Sequence, residues 1–278
     1  MASYLRPSTL DEALGALAAS ERVIVAGATD YYPARVGMVP SEDVLDISGI
    51  EDLSAISKTD RSWRIPALAT WSDVIGAPLP PLFDGLKAAG RTIGGMQIQN
   101  RGTVCGNLCN ASPAADGIPN LIALDAEVEL VSATGSRRLP VQAFVTGNRQ
   151  TQRRADELVT AIHVPARGAR ASSAFLKHGA RSSLVISIVM VAAVIDLDAD
   201  GSIEKTAIAV GACSPVARRL PSLEERMRDR RLGPDLAHEV TEADLEPLSP
   251  IDDIRGSAAY RRTAALVLVR RVIESLTA

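Results

Sequence analysis

The chain has 278 residues, 46% of them hydrophobic and 23% charged, and its formal net charge is −3. This length allows two modest domains or one large one, and the slightly acidic balance argues against nucleic acid as the main partner. Three cysteines and three histidines, scattered along the chain, argue against a disulfide framework and against a structural metal site of four ligands. Because no signal-peptide pattern opens the chain and no apolar run is long enough to span a bilayer, we expect a cytoplasmic protein without a membrane span.

The first half of the chain alternates between helical and strand patterns. Capping residues at Ser8 and Thr9 precede leucines at helical spacing. We predict helices over residues 10–17, 70–76, 80–89 and 115–124, and strands over residues 23–26, 44–47, 53–56, 63–68, 126–131, 137–140 and 158–165. Alternation in the last strand places His163 on a strand face, which favours a packing role over a ligand role.

A turn follows the strand over residues 23–26. It consists of Gly27, Ala28, Thr29 and Asp30. A strand that ends in such small residues can present backbone N–H groups to an anion. From the residues alone, an ordinary connection to a helix that Asp30 caps is the favoured interpretation.

The stretch over residues 92–130 is the most unusual in the chain. Its first half is rich in Gly, Asn, Ser and Thr, and Arg101 is the only charge between Thr92 and Ala115. Free backbone N–H groups with few side chains in the way suit close wrapping around a phosphorylated cofactor. A turn-rich linker between elements is the alternative.

A short polar linker over residues 165–170 separates two parts of different texture. Beyond it we predict strands over residues 174–177, 186–197 and 203–213, followed by helices over residues 221–230, 234–243 and 257–276. An antiparallel sheet covered by C-terminal helices is the simplest arrangement for this half. The fold class that we predict for the whole chain is α+β.

Familiar catalytic motifs are missing from the sequence. It contains no Gly-x-Ser-x-Gly elbow, no His-Glu-x-x-His, no Walker loop and no Gly-x-Gly-x-x-Gly after a strand. Cys105 could serve as a nucleophile, but a small buried thiol is the favoured interpretation. If the chain is an enzyme, its chemistry therefore belongs to a cofactor that the protein binds and orients.

Several stretches in the same order resemble a known family. These are VAGATDYYP at residues 25–33, the stretch over residues 92–130, FVTGNRQTQRRADELVTAIHVP at residues 144–165, FLKHGAR at residues 175–181 and DIRGSAAYRR at residues 253–262. In them the chain resembles the FAD-binding (medium) subunit of molybdenum hydroxylases, the group that contains xanthine dehydrogenase and carbon monoxide dehydrogenase. Together they cover nearly the whole chain, which is more specific than any single Gly-rich loop.

The resemblance implies a two-lobed FAD-binding domain of the PCMH type over residues 1–166 and a small domain of antiparallel sheet and helices over residues 171–278. It implies an oxidoreductase subunit that binds FAD and holds no catalytic residue and no metal ligand. A molybdopterin-binding large subunit and a [2Fe–2S] small subunit are the implied partners, in a heterotrimer or a dimer of heterotrimers. Electrons would pass from the iron–sulfur subunit through FAD to NAD, a quinone, oxygen or a carrier protein.

The resemblance also implies which residues contact FAD. The first loop would hold the pyrophosphate through backbone N–H groups of Ala26, Gly27, Ala28, Thr29 and Asp30. Further implied contacts are Thr103, Gly106 and Asn107 on the second pyrophosphate and ribityl loop, Asp116 as a hydrogen-bonding carboxylate, Leu158 and Lys177 around the flavin and its open edge, and Ile93 beside the isoalloxazine.

Two positions depart from the family pattern. Ala28 and Cys105 stand where relatives usually have Gly. If either position needs a positive φ, its Cβ costs about 1 kcal/mol. These departures motivate an alternative function, a binding or assembly module that has kept the fold but has lost tight FAD binding.

Overall fold

The structure, a computed structural model, describes residues 2–39, 41–181 and 184–277. In chain order its first part contains β1 (Tyr4–Leu5), α1 (Leu10–Ala19), β2 (Val23–Val25), β3 (Val44–Asp46), β4 (Ser57–Lys58), β5 (Ser62–Pro66), α2 (Trp71–Gly76), α3 (Asp84–Thr92), α4 (Met96–Gln99), α5 (Val104–Asn110), α6 (Gly117–Ala123), β6 (Glu127–Ser132), β7 (Gly135–Pro140), α7 (Val141–Phe144), β8 (Val145–Gly147), β9 (Gln150–Thr151) and β10 (Leu158–Pro165). The second part contains β11 (Ser172–His178), β12 (Val189–Leu197), β13 (Ile203–Gly211), β14 (Arg218–Arg219), α8 (Pro221–Met227), α9 (Asp235–His238) and α10 (Ala258–Ser275).

The N-terminal lobe is a small parallel sheet with strand order β1-β3-β2. Helix α1 buries Ala13, Leu14 and Leu17 in a core that also contains Leu45 of β3 and Leu158 of β10. Because Leu158 belongs to the neighbouring sheet, this core joins the two lobes. The turn after β2 is therefore held next to the larger lobe.

The second lobe is built on an antiparallel sheet of strand order β4-β5-β10-β6-β7. Its central strand, β10, pairs Ile162 with Ile65 on one side and with Val128 on the other. These residues belong to a large core that helices α2, α3, α5 and α6 cover. The helices thereby connect this sheet to the C-terminal half.

The C-terminal sheet, with strand order β11-β12-β13-β14, is buried on both faces. Along β12, Met190 and Ala192 pack into the large core of the first half, whereas Val189 and Val191 pack against α8, α9 and α10. This alternation follows from the two-residue period of side chains in a strand. One sheet thus separates the C-terminal helices from helices α3 and α6.

The structure confirms the predicted α+β class and changes several predicted elements. The strand predicted over residues 53–56 is wrong, because Glu51–Leu53 forms a 3-10 turn and the strand that pairs with β5 is Ser57–Lys58. The helix predicted over residues 234–243 ends at His238, and Thr241 caps a separate 3-10 turn in which Asp244 accepts from the N–H of Thr241. Residues 92–115, expected as a loop, contain the short helices α4 and α5.

Candidate functional site

A cavity of about 1250 Å³ opens between the two lobes of the first half. Its wall includes the turn after β2, the segment that leads into α5, and the start of β10. All site residues predicted from the sequence line it except Asp116 and Lys177: Ala26, Gly27, Ala28, Thr29, Asp30, Ile93, Thr103, Gly106, Asn107 and Leu158.

The two predicted loops touch through their backbones. A Cβ added to Gly27 would overlap the carbonyl oxygen of Arg101 and would lie 2.7 Å from its carbonyl carbon. A Cβ added to Gly102 would lie 3.3 Å from the hydroxyl of Thr29. Residues without side chains are therefore required where the loops meet, and this contact makes one continuous wall of two distant parts of the sequence.

Hydrogen bonds hold the second loop in place. The side chain of Thr103 accepts from the N–H of Gly106 at 3.0 Å and so caps α5. The N–H of Trp71 donates to the carbonyl of Gly102 at 3.0 Å, and that of Val104 donates to the carbonyl of Ala69 at 3.1 Å. The loop is therefore fastened to the start of α2.

The two departures from the family pattern differ in their structural consequences. Ala28 has φ +60°, the left-handed conformation that favours glycine. Cys105 lies within α5, so it carries no such strain, and its thiol lies 3.8 Å from the carbonyl oxygen of Ile65. Burial raises the pKa of the Cys105 thiol well above its ordinary value, which disfavours a nucleophilic thiolate.

Asp116 and Lys177 form an ion pair behind the cavity wall. The ammonium of Lys177 donates to Asp116 at 2.6 Å, and both side chains are more than nine-tenths buried. The hydroxyl of Ser187 donates to the same carboxylate at 2.5 Å, and that of Thr92 donates at 3.3 Å. Ile93, which follows Thr92 in sequence, lines the cavity. The ion pair is therefore connected to the wall through the hydrogen bond of Thr92 to Asp116.

Sequence reasoning did not single out several charged and aromatic residues of the wall. They are Trp71, whose indole is buried, and Arg22, Arg35, Arg149 and Arg153. Arg149 is the clearest omission, because its guanidinium contacts Asp30 at 3.1 Å and Asn110 at 2.7 Å. Arg149 lies within the family stretch over residues 144–165, but no local pattern joins it to Asp30, which is 119 residues away in sequence.

Two protein-family models together match almost the whole chain. The model of the FAD binding domain in molybdopterin dehydrogenase matches residues 1–167, and that of the CO dehydrogenase flavoprotein C-terminal domain matches residues 173–276. The chain therefore belongs to the FAD-binding subunits of the molybdenum hydroxylases, and it is a flavoprotein subunit of an oxidoreductase.

Individual relatives align over almost the whole chain. The nicotine 6-hydroxylase medium subunit of Paenarthrobacter nicotinovorans is 29% identical over 97% of this chain and 95% of its own length. The glyceraldehyde dehydrogenase medium chain of Sulfolobus acidocaldarius is 30% identical over 99% and 98%. Reconstituted CO dehydrogenase from Oligotropha carboxidovorans, a solved structure at 24% identity, matches with a TM-score of 0.89 over 100% of this chain and 98% of that one, which shows a shared fold.

The residues of the cavity fit FAD. Gly27, Gly102 and Gly106 line the cavity without side chains, which suits the close backbone approach that a diphosphate needs. Asn107 adds a buried side-chain oxygen without a hydrogen-bond partner among the described residues, which is typical of a position that a bound group satisfies. Within the described ranges, we find no group of three His, Cys, Asp or Glu side chains arranged to hold a metal, and no helix long and apolar enough to cross a membrane.

Proposed function

We propose that this chain is the electron-transfer subunit of a molybdopterin-dependent hydroxylase or dehydrogenase. It would receive electrons from a [2Fe–2S] cluster of one partner and pass them through FAD to an external acceptor. When bound, FAD supplies the exchange of single electrons with a cluster and of electron pairs with an acceptor. The observation that carries the proposal is the backbone contact of Gly27 with Arg101, which joins both family loops on one cavity.

The residues of the wall have distinct roles in this proposal. The backbone of Gly27 and its neighbours (Ala26, Ala28, Thr29 and Asp30) holds the diphosphate, and the loop of Thr103, Gly106 and Asn107 continues toward the ribityl chain. Ile93 and Leu158 supply apolar contacts to the isoalloxazine. The ion pair of Asp116 and Lys177 supports that end through the hydrogen bond of Thr92 to Asp116.

We further propose that the chain divides into an FAD-binding domain over residues 1–166 and a supporting domain over residues 171–278. The core that the C-terminal sheet forms with α8, α9 and α10 supports this division, because all of its residues lie beyond residue 171. In the complex, a molybdopterin-binding large subunit would perform the hydroxylation, and a [2Fe–2S] small subunit would face the cavity. A heterotrimer or a dimer of heterotrimers is the expected assembly.

Flavin content tests the cofactor part of the proposal. The purified chain should be yellow with flavin absorbance bands, and denaturation should release FAD that chromatography separates from FMN and riboflavin. A colourless chain that takes up no added FAD would favour the assembly module, because the fold would then persist without its cofactor. Reoxidation of the reduced complex by NAD, a quinone, oxygen or a carrier protein then identifies the acceptor.

A further inference from the structure

The hairpin of β8 and β9 reaches the cavity with one arginine. Arg149 lies at its tip, between Gly147 and Gln150, and has φ +56°. Its N–H donates to the carbonyl of Ala111 at 2.9 Å, which fixes the tip against the end of α5. A non-glycine residue in this conformation is uncommon and indicates that surrounding contacts hold it there.

Asp30 and Asn110 aim the guanidinium of Arg149 along the wall. Its Nη1 donates to the carboxylate of Asp30 at 3.1 Å and to the side-chain oxygen of Asn110 at 2.7 Å. Among the described residues, Nε and Nη2 of Arg149 donate no hydrogen bond. The arginine therefore bridges the first loop and α5 with part of its donor capacity unused.

Two other arginines of the wall, Arg35 and Arg153, make more side-chain contacts with the protein than Arg149 does. Arg35 pairs with Glu42 at 2.6 Å, donates to the carbonyl of Tyr31 at 3.1 Å and stacks over the Tyr31 ring. Arg153 donates through Nη1 to backbone carbonyls, including that of Glu157 at 2.9 Å. The pair of Arg149 and Asp30 is by contrast exposed on both sides, at 59% and 52%.

Because the ion pair of Arg149 and Asp30 is exposed, its arginine is available to a bound anion. An ion pair open to water contributes at most about 1 kcal/mol, so an anion can recruit the arginine at little cost. A guanidinium binds phosphate through two parallel hydrogen bonds, which are stronger than those between neutral groups. The two loops bring backbone N–H groups to the cavity but no cation, and Arg149 is the cation that contacts the first of them.

We infer that Arg149 is a further cofactor-binding residue, which donates charge-assisted hydrogen bonds to the diphosphate of FAD. This inference rests on the proposed function, because it requires FAD in this cavity. Asp30 and Asn110 act as positioning residues that hold the guanidinium toward the first loop. The hairpin of β8 and β9 is thereby a third element of the site, beside the two loops.

The test compares FAD binding by full-length chains that have been stripped of cofactor. Arg149→Ala should weaken the affinity for FAD about ten- to hundredfold, the range expected for hydrogen bonds to a charged group. Because the lost attraction is electrostatic, added salt should weaken FAD binding less steeply in R149A than in the unaltered chain. Arg149→Lys should retain an intermediate affinity, because lysine keeps the positive charge but cannot donate two parallel hydrogen bonds.

Arg154→Ala is the matched control. Arg154 is 70% exposed, carries the same charge five residues away in sequence and is not among the residues that line the cavity. It should bind FAD like the unaltered chain, and the melting temperature of both apoproteins should stay unchanged.

Unchanged FAD affinity in R149A, or a loss with the salt dependence of the unaltered chain, would overturn the inference while leaving FAD binding intact. An unaltered chain that binds no FAD overturns the proposed function as well, so the two failures are distinguishable.

Discussion

The cavity wall and the junction between the two halves of the chain are held together by different kinds of contact. The wall is made where backbones meet, at Gly27 and Arg101, and its ion pair of Asp30 and Arg149 is exposed rather than buried. The junction combines an apolar core with ion pairs that reach across long stretches of sequence, such as the buried pair of Asp116 and Lys177. The difference indicates that the surface for the cofactor needs close backbone approach, whereas the relative position of the sheets needs directional side-chain contacts.

Asp125 is the clearest example of a carboxylate that joins the two halves through ion pairs. This residue follows α6 and accepts from Arg167 at 2.7 Å, from Lys205 at 2.7 Å and from Arg219 at 2.8 Å. Burial opposes its ionisation, but the hydrogen bond of Lys205 and the charges of the two arginines outweigh burial and hold the pKa of Asp125 below its ordinary value. Since Lys205 and Arg219 belong to the C-terminal sheet, one carboxylate ties that sheet to the first half.

The largest expected effect is at the junction. Asp116→Asn keeps the shape of the side chain but leaves the ammonium of Lys177 buried without its counter-charge. Removing one partner of a buried pair costs about 3–5 kcal/mol, so the free energy of unfolding of the apoprotein should fall by that amount. Urea unfolding followed by circular dichroism measures it.

A second substitution tells whether the unpaired charge is the cause. The double variant Asp116→Asn, Lys177→Met should recover a large part of the lost stability, because an apolar side chain of similar length replaces the stranded ammonium. A double variant as unstable as D116N would assign the effect to the hydrogen bonds of Ser187 and Thr92 instead. Asp60→Asn, at an exposed turn, should leave stability unchanged.

A smaller effect is expected where the loops meet. In Gly27→Ala the added methyl overlaps the carbonyl of Arg101, so the two backbones must separate. Overpacking of this kind costs about 1–3 kcal/mol, and FAD affinity should fall about ten- to hundredfold because the two loops no longer meet. Isothermal titration of the apoprotein with FAD gives the affinity.

Gly15→Ala is the control for this change. Gly15 lies inside α1, and nothing lies within 4 Å of an added Cβ there. It should leave FAD binding unchanged and stabilise the helix by up to about 1 kcal/mol. If G27A and G15A bind FAD equally well, the backbone contact is not part of the site.

The same contrast explains how much of the molecule the sequence predicts. The continuous apolar run of β12 and the helical spacing of the leucines of α1 predict these elements, because burial acts on residues that are close in sequence. Gly27 is visible because a tight turn after a strand has a short-range signature. The family resemblance, and no spacing rule, joins this turn to Gly106.

Long-range side-chain contacts leave no such signature. Lys177 lies 61 residues from Asp116, and Arg149 lies 119 residues from Asp30, so no window of sequence contains either pair. Residues 92–115 read as a loop because Gly and Asn disfavour helices, although the cap at Thr103 and tertiary packing form α5. Site residues that act through backbone are therefore more predictable than those that act through charge.

The smallest expected effect tests whether the backbone conformation of Ala28 lowers the affinity for FAD. Ala28 has φ +60°, which glycine adopts without strain. Ala28→Gly should therefore stabilise the turn by up to about 1 kcal/mol, which corresponds to an FAD affinity that rises by no more than about fivefold. The expected gain is small because glycine also adds freedom to the unfolded chain.

The sign of this effect is more informative than its size. Ala18→Gly, at an exposed position inside α1, should destabilise by about 1 kcal/mol, because helical backbone gives glycine no advantage. If A28G is more stable and A18G less stable than the unaltered chain, the φ angle at residue 28 determines the effect of glycine there. If A28G instead loses FAD affinity, the methyl group of Ala28 itself contacts the cofactor, and the wall at this loop depends on side chains as the junction does.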